Sequence, residues 1–121
     1  MSSTSRVVVG VDPHRPIEGA IAWAIAMAGR ISARCDVVLV AHDPSEREVL
    51  TSATSAIARR LEAEGVDHEM INRYGDAAAT LLDAAVGADL AVLAEASEQM
   101  ARSIMGVVGQ TILAAPPCPV A

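Results

Sequence analysis

The chain has 121 residues, a length that fits one domain with a core large enough to need no metal or disulfide. Its formal net charge is −6, and no basic cluster is longer than Arg59-Arg60, which argues against direct binding to nucleic acids or anionic membranes. No apolar run reaches the length of a membrane span. The first residues are polar and lack the pattern of a signal peptide, so we expect a cytoplasmic protein.

The first part of the chain alternates apolar strands with an amphipathic helix. Arg6–Val11 is β-branched and apolar without alternation, which is typical of a strand covered on both faces. Residues 36–41 repeat this pattern and predict a second buried strand. Between the two strands, residues 17–31 place Ile and Ala at helical spacing, which predicts the first helix.

The next helix and strand also have recognisable sequence signals. Ser45 with Glu48 three residues later predicts a capping box at the start of a second helix, and Gly65 predicts its end. Residues 66–74 then alternate apolar and polar side chains, as a half-exposed edge strand does.

The rest of the chain completes an α/β pattern. Gly75-Asp76 predicts the start of a short third helix. A strand, a helix and the beginning of a fifth strand are then predicted at residues 90–94, 106–115 and 119–121. This alternation predicts an α/β fold with one doubly wound parallel sheet of four to five strands and helices on both faces. We expect a flexible tail at residues 1–5 and a single domain at residues 6–121.

Several short motifs occur in a distinctive order along this pattern. They are RVVVGVD at the start, Trp23 within AIAWAIAMA, YGD at residues 74–76, GADL at residues 87–90 and PPCPV at residues 116–120. Together they resemble the universal stress protein (UspA-like) family over nearly the whole chain. The resemblance implies a flavodoxin-like, adenine-nucleotide-hydrolase-like sheet of order 3-2-1-4-5, usually dimeric through its fifth strand.

The resemblance also implies where a nucleotide would bind. Nucleotide-binding members carry Gly-x2-Gly-x9-Gly-(Ser/Thr) after strand four, because glycines let backbone N–H groups approach phosphate. In this chain the first two glycine positions are Ala94 and Ser97. The closing pair is Gly106-Val107, with eight residues between Ser97 and Gly106 instead of nine. Only one of the four positions is kept.

The charge of this loop opposes a polyphosphate as well. Glu95 and Glu98 lie where the phosphates would rest, and a pair of like charges 4 Å apart costs on the order of 4 kcal/mol at an effective dielectric of ~20. We therefore predict a divergent family member that has lost ATP binding and needs no cofactor. The helix N-terminus at Gly106 could still hold a carboxylate or a single phosphate.

Two positions outside the loop belong to the nucleotide site that the resemblance implies. Asp12 would line its adenine and ribose side, and the backbone of Val40 would meet adenine. The alternative for Asp12 is a turn-forming residue before Pro13 that accepts local N–H groups. The alternative for the Val40 side chain is a place in the core.

The residue types used in catalysis and metal binding form no recognisable constellation. His14 and His42 follow the first two strands and could face one crevice, but no ligand spacing supports a metal. Ser97 lacks the glycine-flanked turn of a hydrolase nucleophile. Cys35 and Cys118 are expected three strand spacings apart, roughly 14 Å, which is beyond disulfide reach. We predict no enzyme activity, no metal and two reduced thiols.

These observations leave two hypotheses about function. The first is a non-enzymatic stress-response or regulatory domain that acts through dimerisation or docking on a protein partner. The second is an AMP or ATP sensor that uses Asp12 and the helix at Gly106. We predict a homodimer in either case, and because the predicted fifth strand is short, helix four and the Pro116-Pro117 turn are its alternative contact surface.

Overall fold

The computed structural model describes the chain in four stretches, and for a few of these residues it describes the backbone alone. The stretches are residues 5–14, 18–93, 110–115 and 118–119, with the backbone alone for residues 18–19, 110–115 and 118–119. The elements in chain order are β1 (Arg6–Val11), α1 (Glu18–Arg30), β2 (Arg34–Ala41), α2 (Arg47–Ala63), β3 (His68–Tyr74), α3 (Ala77–Ala85), β4 (Leu90–Leu93), β5 (Gln110–Ala115) and β6 (Cys118–Pro119).

One sheet contains all six strands, in the order β3-β2-β1-β4-β5-β6. The first five strands in this order are parallel to their neighbours, and β6 is antiparallel to β5. The predicted doubly wound parallel sheet and the 3-2-1-4 order are therefore confirmed, and β5 follows β4 as the fifth strand. Successive crossovers run first to one side of β1 and then to the other, so the strand order reverses at β1.

The helix predicted for residues 106–115 is wrong over its second half. Gln110–Ala115 is the strand β5, and it pairs with the whole of β4 from Leu90↔Gln110 to Leu93↔Leu113. The apolar spacing of this short segment fits either structure, and pairing with a buried neighbour decides in favour of the strand. The fifth strand thus comes earlier than residues 119–121, and residues 106–109 lie outside the described residues.

Apolar side chains fill two layers, one on each face of the sheet. α1 and α2 cover one face, where Val7 and Val9 of β1 point, and α3 covers the other face, where Val8 points. Because both faces are covered, the central strands read as continuous apolar runs. No helix within the described stretches is long and apolar enough to cross a membrane.

The start of α2 differs from the predicted capping box. Asp43 caps a short 3-10 turn, Pro44–Glu46, by accepting the N–H of Ser45 at 2.8 Å, and α2 then begins at Arg47 without a side-chain cap. The reason is that Pro44 suits the first position of a helical turn and lets the chain turn one step earlier. The predicted end of α2 is confirmed, since Gly65 has φ +71° just after it.

A buried carboxylate lies at the amino-terminal edge of the sheet. Asp36 on β2 is 2% exposed and accepts hydrogen bonds from Arg34 at 2.7 and 3.1 Å and from Arg6 at 3.1 Å. The hydrogen bond to Asp36 is the main cause that raises the pKa of Arg34. Sequence reasoning missed this cluster, because Asp36 stands at the start of an apolar run and was interpreted as a strand boundary.

The same arginine ties the third helix to the sheet. Arg6 donates to the carbonyl oxygen of Ala84 in the last turn of α3 at 3.1 Å and to that of Val86, just after the helix, at 2.6 Å. A guanidinium is well suited to the unpaired carbonyls at a helix C-terminus. Arg6 also forms two hydrogen bonds with Asp89, just before β4: its backbone N–H donates to the Asp89 carboxylate at 2.9 Å, and its carbonyl oxygen accepts the backbone N–H of Asp89 at 3.0 Å.

Candidate functional site

The carboxyl ends of β1, β2 and β3 meet at one edge of the sheet, the edge at which doubly wound folds bind ligands. The segments that follow these strands are residues 12–14, 42–47 and 75–77. Four residues of the first two segments are linked there by hydrogen bonds that involve their side chains or backbone N–H groups, and we call them the carboxyl-edge cluster: Asp12, His14, His42 and Glu46.

Glu46 connects the two loops of this cluster. Its Oε2 lies 3.1 Å from Nε2 of His14, and its Oε1 accepts the backbone N–H of His42 at 2.9 Å. The His42 N–H is the main cause that lowers the pKa of Glu46, and the contact with His14 adds to it. Glu46 is therefore ionised at neutral pH, and it lies across the ends of β1 and β2.

The turn after β1 is built by Asp12. Its Oδ1 accepts the backbone N–H of His14 at 2.9 Å, across the buried Pro13. This is the local hydrogen bond expected of an aspartate in such a turn, so the predicted turn role is confirmed. Asp12 is exposed, and its side chain reaches the solvent at the carboxyl edge.

Val40 lies beside Asp12 through the register of the sheet. Leu39 is the last residue of β2 that pairs with β1, and its partner is Val11. The next residues along the two parallel strands are Val40 and Asp12, so both lie at the same level of this edge. The half-buried Val40 side chain packs against the layer beneath α3, as predicted for a core position.

The other predicted nucleotide positions cannot be placed in this arrangement. Ala94, Ser97, Gly106 and Val107, together with the loop carboxylates Glu95 and Glu98, lie outside the described residues. The structure therefore places Asp12 and Val40 at the same level of the carboxyl edge, and the nucleotide site that the resemblance implies stays a prediction.

The third segment of this edge starts α3 as predicted. Gly75 has φ +119° and donates its N–H to the carbonyl of Ala41 at 2.8 Å, which ties the turn to β2. The side chain of Asp76 then accepts the N–H of Ala79 at 3.2 Å and caps the helix. The Gly-Asp pair thus has a structural role that its sequence already indicated.

The carboxyl edge is rich in negative charge. The three segments contribute the carboxylates of Asp12, Asp43, Glu46 and Asp76, against one arginine, Arg47. The pKa of Asp43 is lowered, chiefly by the hydrogen bond from the Ser45 side chain. Because Asp43 and Glu46 are held in their ionised forms, neither is suited to donate a proton as a general acid near neutral pH.

The structure also bears on metals and thiols. Within the described residues, no group of three or more His, Cys, Asp or Glu side chains could hold a metal ion. Cys35 is a free, buried thiol on β2, and burial, helped by the charge of Asp36, raises its pKa to about 12. Three strands of the sheet lie between β2, which contains Cys35, and β6, which contains Cys118.

Comparison with known proteins gives a match at the level of structure. No family model and no curated protein matches the chain. A universal stress protein family structure from Burkholderia pseudomallei superposes with a TM-score of 0.63 at 22% identity, covering 88% of this chain and 94% of the other. UspA from Lactobacillus plantarum superposes with a TM-score of 0.63 at 18% identity, and the match covers 93% of this chain and 99% of the other. A universal stress protein from Archaeoglobus fulgidus superposes with a TM-score of 0.58 at 17% identity, and the match covers 93% of this chain and 98% of the other.

These likenesses identify the fold of the chain. The three neighbours are less than 25% identical to it, and nearly the whole of each chain takes part in the superposition. The fold is therefore that of universal stress proteins, as the sequence motifs implied.

Proposed function

We propose that this chain is a non-enzymatic, cytoplasmic stress-response or regulatory domain of the universal stress protein type. It does not bind ATP, and it acts as a homodimer or by docking on a protein partner. The observation that carries the proposal is the position of Glu46, which lies across the ends of β1 and β2 and is held there by His14 and by the His42 N–H.

The charge of the carboxyl edge supports this proposal. A nucleoside triphosphate bound there would bring several negative charges towards the three described segments of this edge, which carry four carboxylates and one arginine. One like-charge pair at 4 Å costs on the order of 4 kcal/mol at an effective dielectric of ~20. The altered sequence after β4 adds to this cost, since Ala94 and Ser97 stand at the two glycine positions and Glu95 and Glu98 add negative charge beside them.

Equilibrium dialysis against ATP, ADP and AMP, each with and without Mg²⁺, tests the proposal. We expect no binding up to about 1 mM, a limit near −4 kcal/mol of binding free energy. A dissociation constant in the micromolar range for any of the three nucleotides would contradict the loss of nucleotide binding. A universal stress protein with an intact glycine loop, dialysed in parallel, is the positive control.

One observation favours a second candidate function, a sensor of AMP or ATP. Asp12 remains exposed at the carboxyl edge and lies level with Val40, as a site for adenosine would require. For this candidate, Asp12→Ala should abolish nucleotide binding while the far-ultraviolet circular dichroism stays unchanged. Asp83→Ala, on the exposed side of α3, is the matched control. Unchanged affinity in Asp12→Ala would remove the candidate.

A further inference from the structure

The outer edge of β3 is long, and in the part of the chain that the structure describes it is open. Within the described stretches, no strand pairs with the side of β3 that faces away from β2, and this strand has seven residues. At the opposite end of the sheet, β6 covers β5 at Ala114 and Ala115. A long open edge is a template for pairing with another strand, so its side chains decide what it can accept.

The hydrogen bonds to β2 show which backbone groups of this edge point outwards. The carbonyl of Asp67 accepts the N–H of Cys35, and the N–H of Gly75 donates to Ala41, both at 2.8 Å. Backbone groups alternate in direction along a strand, so the odd-numbered residues of β3 face β2. The even-numbered residues present their N–H and C=O groups to the outside: His68, Met70, Asn72 and Tyr74.

We propose that two copies of this chain associate through this edge, by antiparallel pairing of β3 with β3 about a twofold axis at Ile71. The inference rests on the proposed homodimer and names its surface. In this register the outward-facing residues form the hydrogen-bonded pairs, which are His68 with Tyr74 and Met70 with Asn72. The non-hydrogen-bonded pairs are Glu69 with Arg73 and Ile71 with itself.

Charge complementarity selects this partner. Glu69 is 58% exposed and Arg73 is exposed, and both lie on the α3 side of the sheet with Ile71 between them. Side chains are closest at the non-hydrogen-bonded pairs of an antiparallel ladder. The twofold axis therefore places Glu69 of each copy opposite Arg73 of the other, and the favourable contact occurs twice.

Other registers of the same edge are poorer. A shift of one residue would oppose outward-facing with inward-facing backbone groups and lose the ladder. An axis at Glu69 would oppose two carboxylates, and an axis at Arg73 would oppose two guanidinium groups. An axis at Met70 or Asn72 leaves Glu69 without a cation opposite and shortens the overlap. Only the axis at Ile71 pairs all seven residues of β3 and opposes unlike charges.

Glu69 and Arg73 can leave their contacts within one copy and pair with each other across the proposed interface. Arg73 donates to the outward-facing carbonyl of Asn72 at 2.8 Å, and Glu69 lies 3.8 Å from Arg34 in an exposed position. In the proposed pair, Met70 of the second copy donates its N–H to that carbonyl, which frees Arg73 for Glu69. Exposed ion pairs contribute little, so leaving Arg34 costs little.

The apolar residues of the edge also gain cover on both faces. Met70 is half-buried against the layer under α1 and α2, and Ile71 is half-buried against the layer under α3. Tyr74 is 43% exposed. A second β3 alongside would extend both layers past the edge and remove apolar surface from water.

A charge-swap series measured by sedimentation equilibrium tests the surface. We expect a wild-type dimer at about 50 µM, and a dimer dissociation constant raised at least about tenfold by either Glu69→Arg or Arg73→Glu, because each replaces two attractive pairs by two repulsive ones. The double variant Glu69→Arg/Arg73→Glu restores both pairs and should return to the wild-type constant. Glu62→Arg, an equal change of net charge on exposed α2, should leave it unchanged.

Cross-linking tests the register independently. Ile71→Cys faces itself across the axis at a non-hydrogen-bonded pair, so mild oxidation should give a disulfide-linked dimer on a non-reducing gel. Asn72→Cys faces Met70 and should cross-link far less. A dimer that responds to neither single charge variant, or is not restored by the double variant, would overturn the β3 surface but leave the proposed homodimer. A monomeric wild type at about 50 µM would overturn both.

Discussion

At the scale of single residues, two carboxylates have opposite environments at opposite edges of the sheet. Asp36 is buried at the amino-terminal edge, where it forms ion pairs with Arg6 and Arg34. Glu46 lies at the solvent-accessible carboxyl edge, where it contacts the ring of His14 and the backbone N–H of His42. The first connects β1, β2 and α3 into one unit. The second lies at the edge where doubly wound folds bind ligands.

Asp36→Asn tests the role of the buried cluster. The amide keeps the shape of the side chain but leaves the guanidinium groups of Arg6 and Arg34, which are 22% and 32% exposed, without their counter-charge. We expect a loss of about 2–3 kcal/mol in the free energy of unfolding, below the usual loss for a fully buried pair because both arginines reach water. Urea unfolding measures it. Asp83→Asn, an exposed control, should change the free energy by no more than about 0.5 kcal/mol.

The lowered pKa of Glu46 predicts a pH dependence of stability. Its carboxylate is favoured in the folded state, so its contribution is complete above the ordinary value of 4.5 and is lost as the pH falls through the lower folded-state pKa. Glu46→Gln should therefore be less stable than wild type at pH 7, and the difference should shrink below pH 4.5. Urea unfolding at a series of pH values measures this difference. A difference that stays constant into strong acid would show that the charge of Glu46 is unimportant.

The roles of Glu46 and Asp43 could not be predicted from the sequence. Glu46 contacts His14, which is 32 residues away, and no local pattern indicates that contact. The sequence predicts Ser45 as the cap, because Ser45 with Glu48 fits the capping-box spacing. The 3-10 turn at Pro44–Glu46 instead makes Asp43, two residues earlier, the capping residue. Asp12 and Asp76 were predictable, since each accepts a hydrogen bond from its own turn.

At the scale of elements, the packing of α3 depends on a glycine in the central strand. A Cβ added to Gly10 of β1 would lie 3.0 and 3.2 Å from the two methyl carbons of Leu81, which is buried on α3. These distances are shorter than normal contacts, so the helix or the leucine must move. The close approach of α3 to β1 therefore requires a residue without a side chain.

Gly10→Ala should cost about 1 kcal/mol of unfolding free energy, because the strain at Leu81 exceeds the entropy gained in the unfolded chain. In a Leu81→Ala background the same change has room, and it should be neutral or stabilising by up to about 0.5 kcal/mol. A double-mutant cycle by urea unfolding measures the coupling. An equal effect of Gly10→Ala in both backgrounds would show that the contact with Leu81 is not what excludes a side chain.

Elements were predictable where their pattern and their neighbours agree. β1, α1, β2 and α2 lie within a few residues of their predicted bounds, because strands covered on both faces and one-sided helices have distinct periods. β5 was predicted as a helix, since Gln110–Ala115 is too short for its spacing to decide and its pairing with β4 is a property of the whole sheet.

At the scale of the whole molecule, the sheet order gives each edge a different character. The parallel alternation of strands was sufficient to predict the fold class, and the motif order implied the arrangement that the superpositions confirm. The site was predictable only in part. The strand register places Asp12 level with Val40, and their role in a nucleotide site stays a prediction, whereas the position of Glu46 at the same edge involves a tertiary contact with His14.

The negative charge of the carboxyl edge should keep adenine nucleotides out of the purified protein, and its content of bound small molecules can be measured. Protein purified without added nucleotide is denatured with acid, and the released small molecules are separated by ion-exchange chromatography with detection of adenine absorbance. We expect no adenine nucleotide beyond traces, in wild type and in Asp12→Ala alike. A near-stoichiometric amount of ATP, ADP or AMP in the wild-type extract would contradict it.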